Sequence, residues 1–509
     1  MRIPWWREAV VYEIYVRSFA DASGDGVGDL AGVRQRLPYL AELGVDAVWL
    51  TPFYRSPMAD GGYDVADHRD VDPLFGTLDD FDAMVADAHE LGLRVIVDIV
   101  PNHSSSEHTW FQAALRGEGR ERYIFRDGGG EPPNNWQSVF GGPAWTRLPD
   151  GQWYLHLFDT TQPDFNWRNP EVHNEFLDVL RFWLDRGVDG FRIDVAMGLY
   201  KAEGLPDTPL ERQAFRTDTP IWGQPEVHEV YRQWRKILDS YDGDRMAVGE
   251  VWTDSVEDLA RYLRPDELHQ SFNFAWLEAP WSPTAFRTVI DDTMATGASP
   301  TWVLSNHDVV RHVTRYGEGL PRSTTGLARA RAALLTMLAL PGSAYLYQGE
   351  ELGLPEVTDL PPEARQDPIF TRSKGKIPGR DGCRVPLPWS GVAAPYGFSP
   401  AGVTPWLPQP VEWAALTAER QASDPESTLG FYREALRARR ELRGSLPTRI
   451  TWLDSPEGAL FFTRGPLACA LNCGSSPVRL PPHGRVLLAS APLDGDMLPP
   501  DTAAWLHTP

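Results

Sequence analysis

The chain has 509 residues, of which 42% are hydrophobic and 23% charged; this globular balance excludes disordered, collagen-like and coiled-coil classes, and the length suits about three or four structural units. Lys and Arg number 48 against 70 Asp and Glu, a net charge of −22 that argues against nucleic acid and anionic membrane as partners. Twenty Trp, 16 Tyr and 21 Phe supply flat faces of the kind that stack on sugar rings, or equally the filling of a large barrel core.

The opening MRIPWWREAVVYEIYVRSF carries charges at Arg7 and Glu8 and has no uninterrupted apolar core with a small-residue cleavage site. A soluble protein of the reducing cytoplasm is expected. Three cysteines, Cys383, Cys469 and Cys473, are too few and too odd for a disulfide framework. Short apolar, β-rich runs then recur along the chain and predict strands over 10–16, 46–51, 93–100, 188–194, 246–251, 270–274, 301–306 and 343–348. Between them LAGVRQRLPYLAELG, LDDFDAMVADAHELG and NPEVHNEFLDVLRFWLDRG place apolar residues at three- and four-residue spacing, with Gly44, Gly92 and Gly187 where a helix would end. The stretch AALLTMLAL at 332–340 stops at Pro341 and is too short to span a bilayer. Eight strands alternating with helices predict an α/β fold, a (β/α)8 TIM barrel, with no GxGxxG after a strand to favour a doubly wound sheet.

Two regions break this rhythm. Residues 104–168, rich in Gly, Pro, Asn and Trp, are too long for a βα loop and predict a domain inserted after strand three. From 447 to 509 the runs TRITWL, ALFFTR, ACALNC and RVLLAS predict a C-terminal β-sandwich, so the barrel comprises 1–103 and 169–446.

In such a barrel, chemistry gathers at the C-terminal ends of the strands. Strand three ends in Asp98 and Asn102-His103, strand four in Arg192 and Asp194, strand five in Glu250, and strand seven in His307 and Asp308. Arg192 and Asp194, two residues apart on a strand, share a face, and the guanidinium favours an ionised carboxylate, which is a competent nucleophile. Glu250 beside Val251-Trp252 has the apolar setting of a general acid. Adjacent strands lie about 4.8 Å apart, compatible with the roughly 5–5.5 Å that separates the carboxyls of retaining glycosidases, although paired acids at a barrel mouth also bind Mg²⁺. Upstream, Asp21, Ser23, Asp25 and Asp29 of DASGDGVGD place oxygen atoms at alternate positions around Gly26, as an EF-hand loop begins, yet Gly32 stands where the bidentate Glu would be. A cation loop and an Asx-turn loop without metal both remain open on this pattern.

In order and spacing, DIVPNH, GFRIDVA, GEVW and LSNHD resemble the four signature regions of the α-amylase superfamily, glycoside hydrolase family thirteen. The opening WWREAVVYEIYVRSFADASGDGVGDL, MADGGYDVADH, QPDFNW and GRDGCRVPLPW are similar to its α-glucosidase and oligo-1,6-glucosidase branch. The resemblance implies Asp194 as nucleophile, Glu250 as acid/base and Asp308 as transition-state stabiliser, with His103, Arg192 and His307 around the reacting glucose. It further implies that Asp60 and Arg384 grip the distal hydroxyl, that Tyr63 stacks on the ring, and that the site is a pocket cutting from the non-reducing end. It also implies a structural Ca²⁺ (or Mg²⁺) at Asp21, Ser23, Asp25, Asp29 and the Val27 carbonyl, with no organic cofactor. The expected activity is retaining hydrolysis of maltose-type and short α-gluco-oligosaccharides by a monomer or small homo-oligomer. Val195-Ala196 after the nucleophile leans toward α-1,6 linkages. An oligo-1,6-glucosidase, or a transglucosylase or isomerase such as a trehalose synthase, is the alternative.

Overall fold

Runs rich in Val, Ile and Ala, alternating in facing direction, form the centre of the molecule. In the computed structural model, which describes residues 3–213, 219–321 and 323–508, they are β1 (Val10–Ile14), β2 (Ala47–Leu50), β3 (Arg94–Ile99), β4 (Gly190–Ile193), β5 (Met246–Gly249), β6 (Gln270–Ser271), β7 (Thr301–Val303) and β8 (Ser343–Tyr347). All pair in parallel, in the order β6-β5-β4-β3-β2-β1-β8-β7. The Thr301 hydroxyl donates to the Ser271 carbonyl and joins the two end strands. This is the expected (β/α)8 barrel. Most strands end before their apolar runs do, and Asp194 and Glu250 are the first residues beyond β4 and β5.

Local chemistry sets the helices. Asp29 caps α1 (Leu30–Leu43), and Gly44 closes it at φ 103°, a left-handed conformation that costs glycine little. Thr77 and Asp80 form a reciprocal capping box on α2 (Leu78–Glu90), and Asn169 with Pro170 starts α3 (Pro170–Asp185).

The period-two alternation of the strands separates two layers. Val11, Ala47, Trp49, Ile96, Met246, Val248 and Tyr345 fill the barrel interior, whereas Val10, Tyr12, Val48, Val95, Val97 and Ala247 meet the helices outside. Continuing the inward parity upward brings Glu13, Asp98, Arg192, Asp194 and Glu250 onto the interior face, above that apolar floor.

Between β3 and β4 lies a three-stranded antiparallel sheet with Gln152–Leu155 flanked by Phe125–Asp127 and Trp145–Arg147. A bridge between His103 and Asp164 ties this segment to the barrel mouth, and one between Tyr123 and Phe165 closes it on itself. Near the C-terminus, five antiparallel strands between Thr451 and His507 form one sheet, and Val478–Arg479 with Met497–Leu498 form a ribbon. Leu460, Phe462, Cys469 and Trp505 belong to the main core, where the Trp505 indole donates to the Leu335 carbonyl at 2.8 Å; Phe461, Ala470 and Leu506 pack with Leu480 and Leu498 in a separate cluster. The sheet is therefore sandwiched. All three cysteines are free. Among the described residues no helix is long and apolar enough to cross a membrane.

Burial of carboxyls gives this fold a pH signature. Burial raises Glu350 to about 8, Glu356 to about 7 and Asp98 to about 7, so the folded chain holds protons that the unfolded chain has lost. Buried His68, His103, His108, His156, His269, His307 and His312, all lowered by burial, act in the opposite sense until the unfolded imidazoles have lost their protons, about one unit above 6.5. The melting midpoint is therefore expected to fall as pH rises from about 7.5 to 8.5, by up to about 1.4 kcal/mol of stability per pH unit for each retained proton. Calorimetry across that range checks the sign, and Glu350→Gln is expected to flatten the slope; a midpoint that rises would contradict the assignment.

Candidate active site

The mouth is organised by one arginine. Asp98 stands opposite Arg192 across β3 and β4, and Val248 opposite Arg192 across β4 and β5. The ladder continues one step further, with the Glu250 amide donating to the Ile193 carbonyl at 2.9 Å, so Asp194 and Glu250 leave neighbouring strands at the same level. Arg192, buried, donates through Nη1 to Asp194 Oδ1 at 2.7 Å and to both Asp98 oxygens at 3.0 Å, and through Nη2 to Glu250 Oε2 at 2.7 Å. Both carboxyls being bonded to the terminal nitrogens of one planar fork, the bonded oxygens of Asp194 and Glu250 lie within roughly 8 Å of each other. Arg192 also lies over the faces of Trp49 and Tyr63, at 5.2 and 5.7 Å from the ring centres.

Two further N–H groups fix Glu250: the Trp252 indole donates to Oε1 and the Val195 amide to Oε2, each at 3.1 Å. Val195 pays for that aim with φ 44°, unfavourable for a β-branched residue. Burial pushes the Asp194 carboxyl well above its ordinary value, opposed by Arg192 and reinforced by Glu250 and Asp98. Three carboxyls around a single fixed cation cannot all ionise cheaply, so the cluster retains a proton near neutrality.

Asp308 belongs to a different electrostatic group. Burial raises its carboxyl, but His307, Arg380 and Arg384 outweigh burial and hold it well below the usual range. Arg384 Nη2 and Arg380 Nη1 donate to its Oδ1 at 2.8 and 3.0 Å. Arg192 serves Asp98, Asp194 and Glu250, and two arginines of a later loop serve Asp308.

A cavity of about 210 Å³ opens on these groups, lined by Asp60, Tyr63, His103, Asp194, Glu250, Asp308 and Arg380 with Val139, Phe140, Phe158, Val195, Trp252, Val309 and Ile369. It is smaller than the ~300–1,000 Å³ of drug-sized sites. At one wall Asp60 accepts from Arg380 Nη2 at 2.7 Å and from Gln162 Nε2 at 3.1 Å, while Gln162 also meets His103 Nε2 at 3.1 Å. Tyr63 donates its hydroxyl to Asp98 at 2.9 Å and stacks on His307, centres 5.2 Å apart. Arg192, His307 and Arg384 stand behind the lining rather than in it.

Asp60 and Arg384, expected together at the distal hydroxyl, are placed apart: the arginine paired with Asp60 is Arg380. The short helical turn Asp381–Cys383 separates the two arginines of GRDGCR; it leaves Arg380 at the cavity and turns Arg384 back, where Nε donates to the His307 carbonyl at 2.8 Å. Arg380 and Gln162 were missed by sequence reasoning, though both lie in segments that it singled out. Glu13 was missed too, and its signal is a charge at an inward position of β1.

The Asp21–Asp29 loop folds onto itself. Asp21 accepts from the amides of Gly24 at 2.6 Å and Gly26 at 2.8 Å, Asp29 from those of Ala22, Ser23 and Gly32, and Asp25 from that of Val27 at 2.9 Å. Among the described residues, no three His, Cys, Asp or Glu side chains converge on a cation position. The donor set of carboxylates, the Ser23 hydroxyl and a carbonyl is nonetheless the hard-oxygen chemistry that suits Ca²⁺ or Mg²⁺.

Residues 13–444 match the family "Alpha amylase, catalytic domain". The chain is 40% identical over 490 residues to a probable α-glucosidase of Rhizobium meliloti, covering 90% of this chain and 87% of that protein. It is 36% identical over 478 residues to an oligo-1,6-glucosidase of Parageobacillus thermoglucosidasius, covering 86% and 84%. Among solved structures, the α-glucosyl transfer enzyme XgtA superposes with a TM-score of 0.91 at 39% identity, covering 99% of this chain and all of that one.

Proposed function

The chain belongs to the α-amylase catalytic-domain family, and from that membership we propose that it is a retaining, exo-acting α-glucosidase that releases α-glucose from maltose-type and short α-gluco-oligosaccharides. The observation that carries this reading is the pair Asp194 and Glu250 held on the two arms of Arg192 and lining one small cavity. Asp194 attacks the anomeric carbon as Glu250 gives its proton to the departing glycosidic oxygen, leaving a glucosyl ester on Asp194. Glu250 then takes a proton from water, the water oxygen bonds to the anomeric carbon, and Asp194 departs; two inversions return the α configuration. Asp308, kept ionised by its arginines, faces the positive charge that develops on the ring. Initial rates on maltose, isomaltose, trehalose and sucrose, with NMR of the first-formed anomer, test the reading; β-glucose as first product, or no turnover of any of the four, would reject it.

Transglucosylation is a second activity favoured by the apolar wall of Val139, Phe140, Phe158, Val309 and Ile369, which suits a sugar acceptor's faces better than ordered water, and by the likeness to XgtA. Val195 beside the nucleophile supports some α-1,6 cleavage, a matter of about 1–3 kcal/mol.

Arg380 and Asp60 close the end of the pocket. Arg380→Ala is expected to raise KM for maltose about 10- to 100-fold, the loss of a charged hydrogen bond, and, because Arg380 also donates to Asp308, to lower kcat, whereas Arg384→Ala, which bonds to Asp308 and not to Asp60, is expected to lower kcat with KM little changed. Steady-state kinetics on the two variants checks the split. The oxygen-rich Asp21–Asp29 loop supports a structural divalent cation as a further part of this proposal. Chelation is then expected to lower the melting midpoint by several degrees, restored by Ca²⁺ or Mg²⁺; an unmoved midpoint favours the self-closed loop.

A further inference from the structure

Two segments that are far apart in sequence build the outer wall of the cavity. The segment inserted after β3 brings Val139, Phe140 and Phe158, and the loop after β8 brings Ile369 and Arg380. Ser138 makes the first group one unit: its hydroxyl donates to the Phe158 carbonyl at 2.6 Å and accepts from the Phe140 amide at 3.1 Å, and the two rings meet edge to face with centres 5.6 Å apart. This aromatic corner reaches the end of the pocket that Asp60 and Arg380 close. Phe158 lies 4.9 Å from the His103 ring, and the Arg380 guanidinium sits over Phe140 at 5.2 Å.

Asp367, buried, makes the second group one unit as well. Its Oδ1 accepts from the Ile369 amide at 2.7 Å and caps the short helix Pro368–Arg372, while Oδ2 accepts from the Arg380 amide at 2.8 Å and from Nε at 2.6 Å. Arg372 ends that helix, one turn after Ile369, and reaches across to the inserted segment. Its Nε donates to the Gly141 carbonyl at 3.0 Å, Nη2 donates to the same oxygen, and Nη1 donates to Asp159 Oδ1 at 3.1 Å. Each acceptor residue directly follows one of the cavity phenylalanines, Gly141 after Phe140 and Asp159 after Phe158.

Exposed ion pairs contribute little as a rule. Here the side chains of Arg372 and Asp159 are only 18% and 17% exposed. All three guanidinium nitrogens are used, in charge-assisted bonds to a main-chain and a side-chain acceptor on the two arms of the corner.

We propose that Arg372 is a positioning residue for sugar binding: from the end of its short helix it holds Ile369 and Arg380 against the Phe140–Phe158 corner, so that the two halves of the wall stand together before the terminal glucose arrives. The sugar in this statement rests on the function proposed above. Arg372 is not among the residues that line the cavity, and it acts on the wall rather than on the acids. Without it, Arg380 keeps its bonds to Asp60, Asp308 and Asp367, but the two halves must be ordered against each other when the sugar binds. That cost falls on affinity and leaves the chemical step alone.

Arg372→Ala in the full chain is expected to weaken glucose binding, followed by calorimetry, and to raise KM for maltose, both by about 5- to 50-fold, with kcat within about threefold of the parent. Phe140→Ala removes a ring through which Arg372 acts, so adding Arg372→Ala to it is expected to weaken glucose binding by clearly less than in the parent; the full factor in that background would contradict the proposal. A purely structural loss would lower the melting midpoint and leave glucose affinity where it is. Glucose affinity of Arg372→Ala within about twofold of the parent overturns the proposal, even if KM for maltose rises, because the effect would then lie at the second sugar. A fall in kcat with KM unchanged overturns it too. Should Arg372→Ala not fold, Arg372→Gln, which keeps part of the stem and one donor group without the charge, is expected to weaken glucose binding by at least about threefold, and parental affinity in that variant overturns the proposal. A parent protein that binds glucose yet leaves maltose, isomaltose, trehalose and sucrose intact rejects the hydrolase reading alone; one that binds no glucose rejects both.

Discussion

Asp194→Asn is expected to lower kcat on maltose by at least about 10⁴-fold while leaving KM within a few-fold and the fold intact. The amide keeps the volume of the carboxylate and can still accept from Arg192 through its oxygen, where Asp194 Oδ1 now sits 2.7 Å from Nη1. What it loses is the ability to form and leave a glucosyl ester, and removing an enzyme's nucleophile costs about 10⁶-fold in the best-studied cases. Stability should not suffer, because taking one carboxyl from three that share a single guanidinium relieves like-charge crowding; the melting midpoint is expected to stay level or rise. Kinetics, a melting curve and mass spectrometry of the parent enzyme trapped with a slow fluoroglucoside check the prediction together. Turnover within tenfold of the parent, or a label on any residue other than Asp194, would remove the nucleophile from the mechanism.

The parts of this site that were legible in the sequence are those fixed by strand geometry. Parity along a strand puts Arg192 and Asp194 on one face, and the apolar run before Glu250 marks where its strand ends and the polar mouth begins. Loops obey no such period. GRDGCR offers two arginines, and only the turn Asp381–Cys383 decides which of them reaches Asp60. Gln162 was hidden for the same reason, since its meeting with Asp60 and His103 depends on how the inserted segment folds back over the mouth. Glu13 was hidden differently. It lies where parity is legible, but its partner His307 is 294 residues away in sequence, after a strand brought next but one to β1 only when the barrel forms, and no local pattern announces that pairing. The division of the acids between Arg192 and the Arg380–Arg384 pair is likewise a property of closure rather than of sequence spacing.

Glu250→Gln is the second large expected effect, and its size should depend on the leaving group. Glu250 Oε2 accepts from Arg192 and Val195 and Oε1 from Trp252. Donors therefore hold both oxygens in place, and the shared proton of the Arg192 cluster must reach Oε1 or Oε2 from within that cluster for the acid step. Gln supplies no transferable proton and cannot act as base on water, so maltose hydrolysis is expected to fall by about 10²–10⁴-fold, the usual worth of a positioned acid/base. An aryl α-glucoside with an acidic phenol needs little protonation to depart. On such a substrate the first step should survive, the glucosyl ester on Asp194 should accumulate as a burst of phenol, and its breakdown should become limiting. Azide, a nucleophile that needs no base, is then expected to restore turnover and to yield α-glucosyl azide, the retained product. An equal loss on maltose and on the activated glucoside, with no burst and no azide rescue, would place the acid/base elsewhere. The pH dependence supplies an independent check: with Gln at 250 the alkaline limb of kcat/KM on the activated glucoside should disappear, because that limb reports loss of the acid's proton, whereas the acid limb, set by ionisation of the nucleophile cluster around Arg192, should remain.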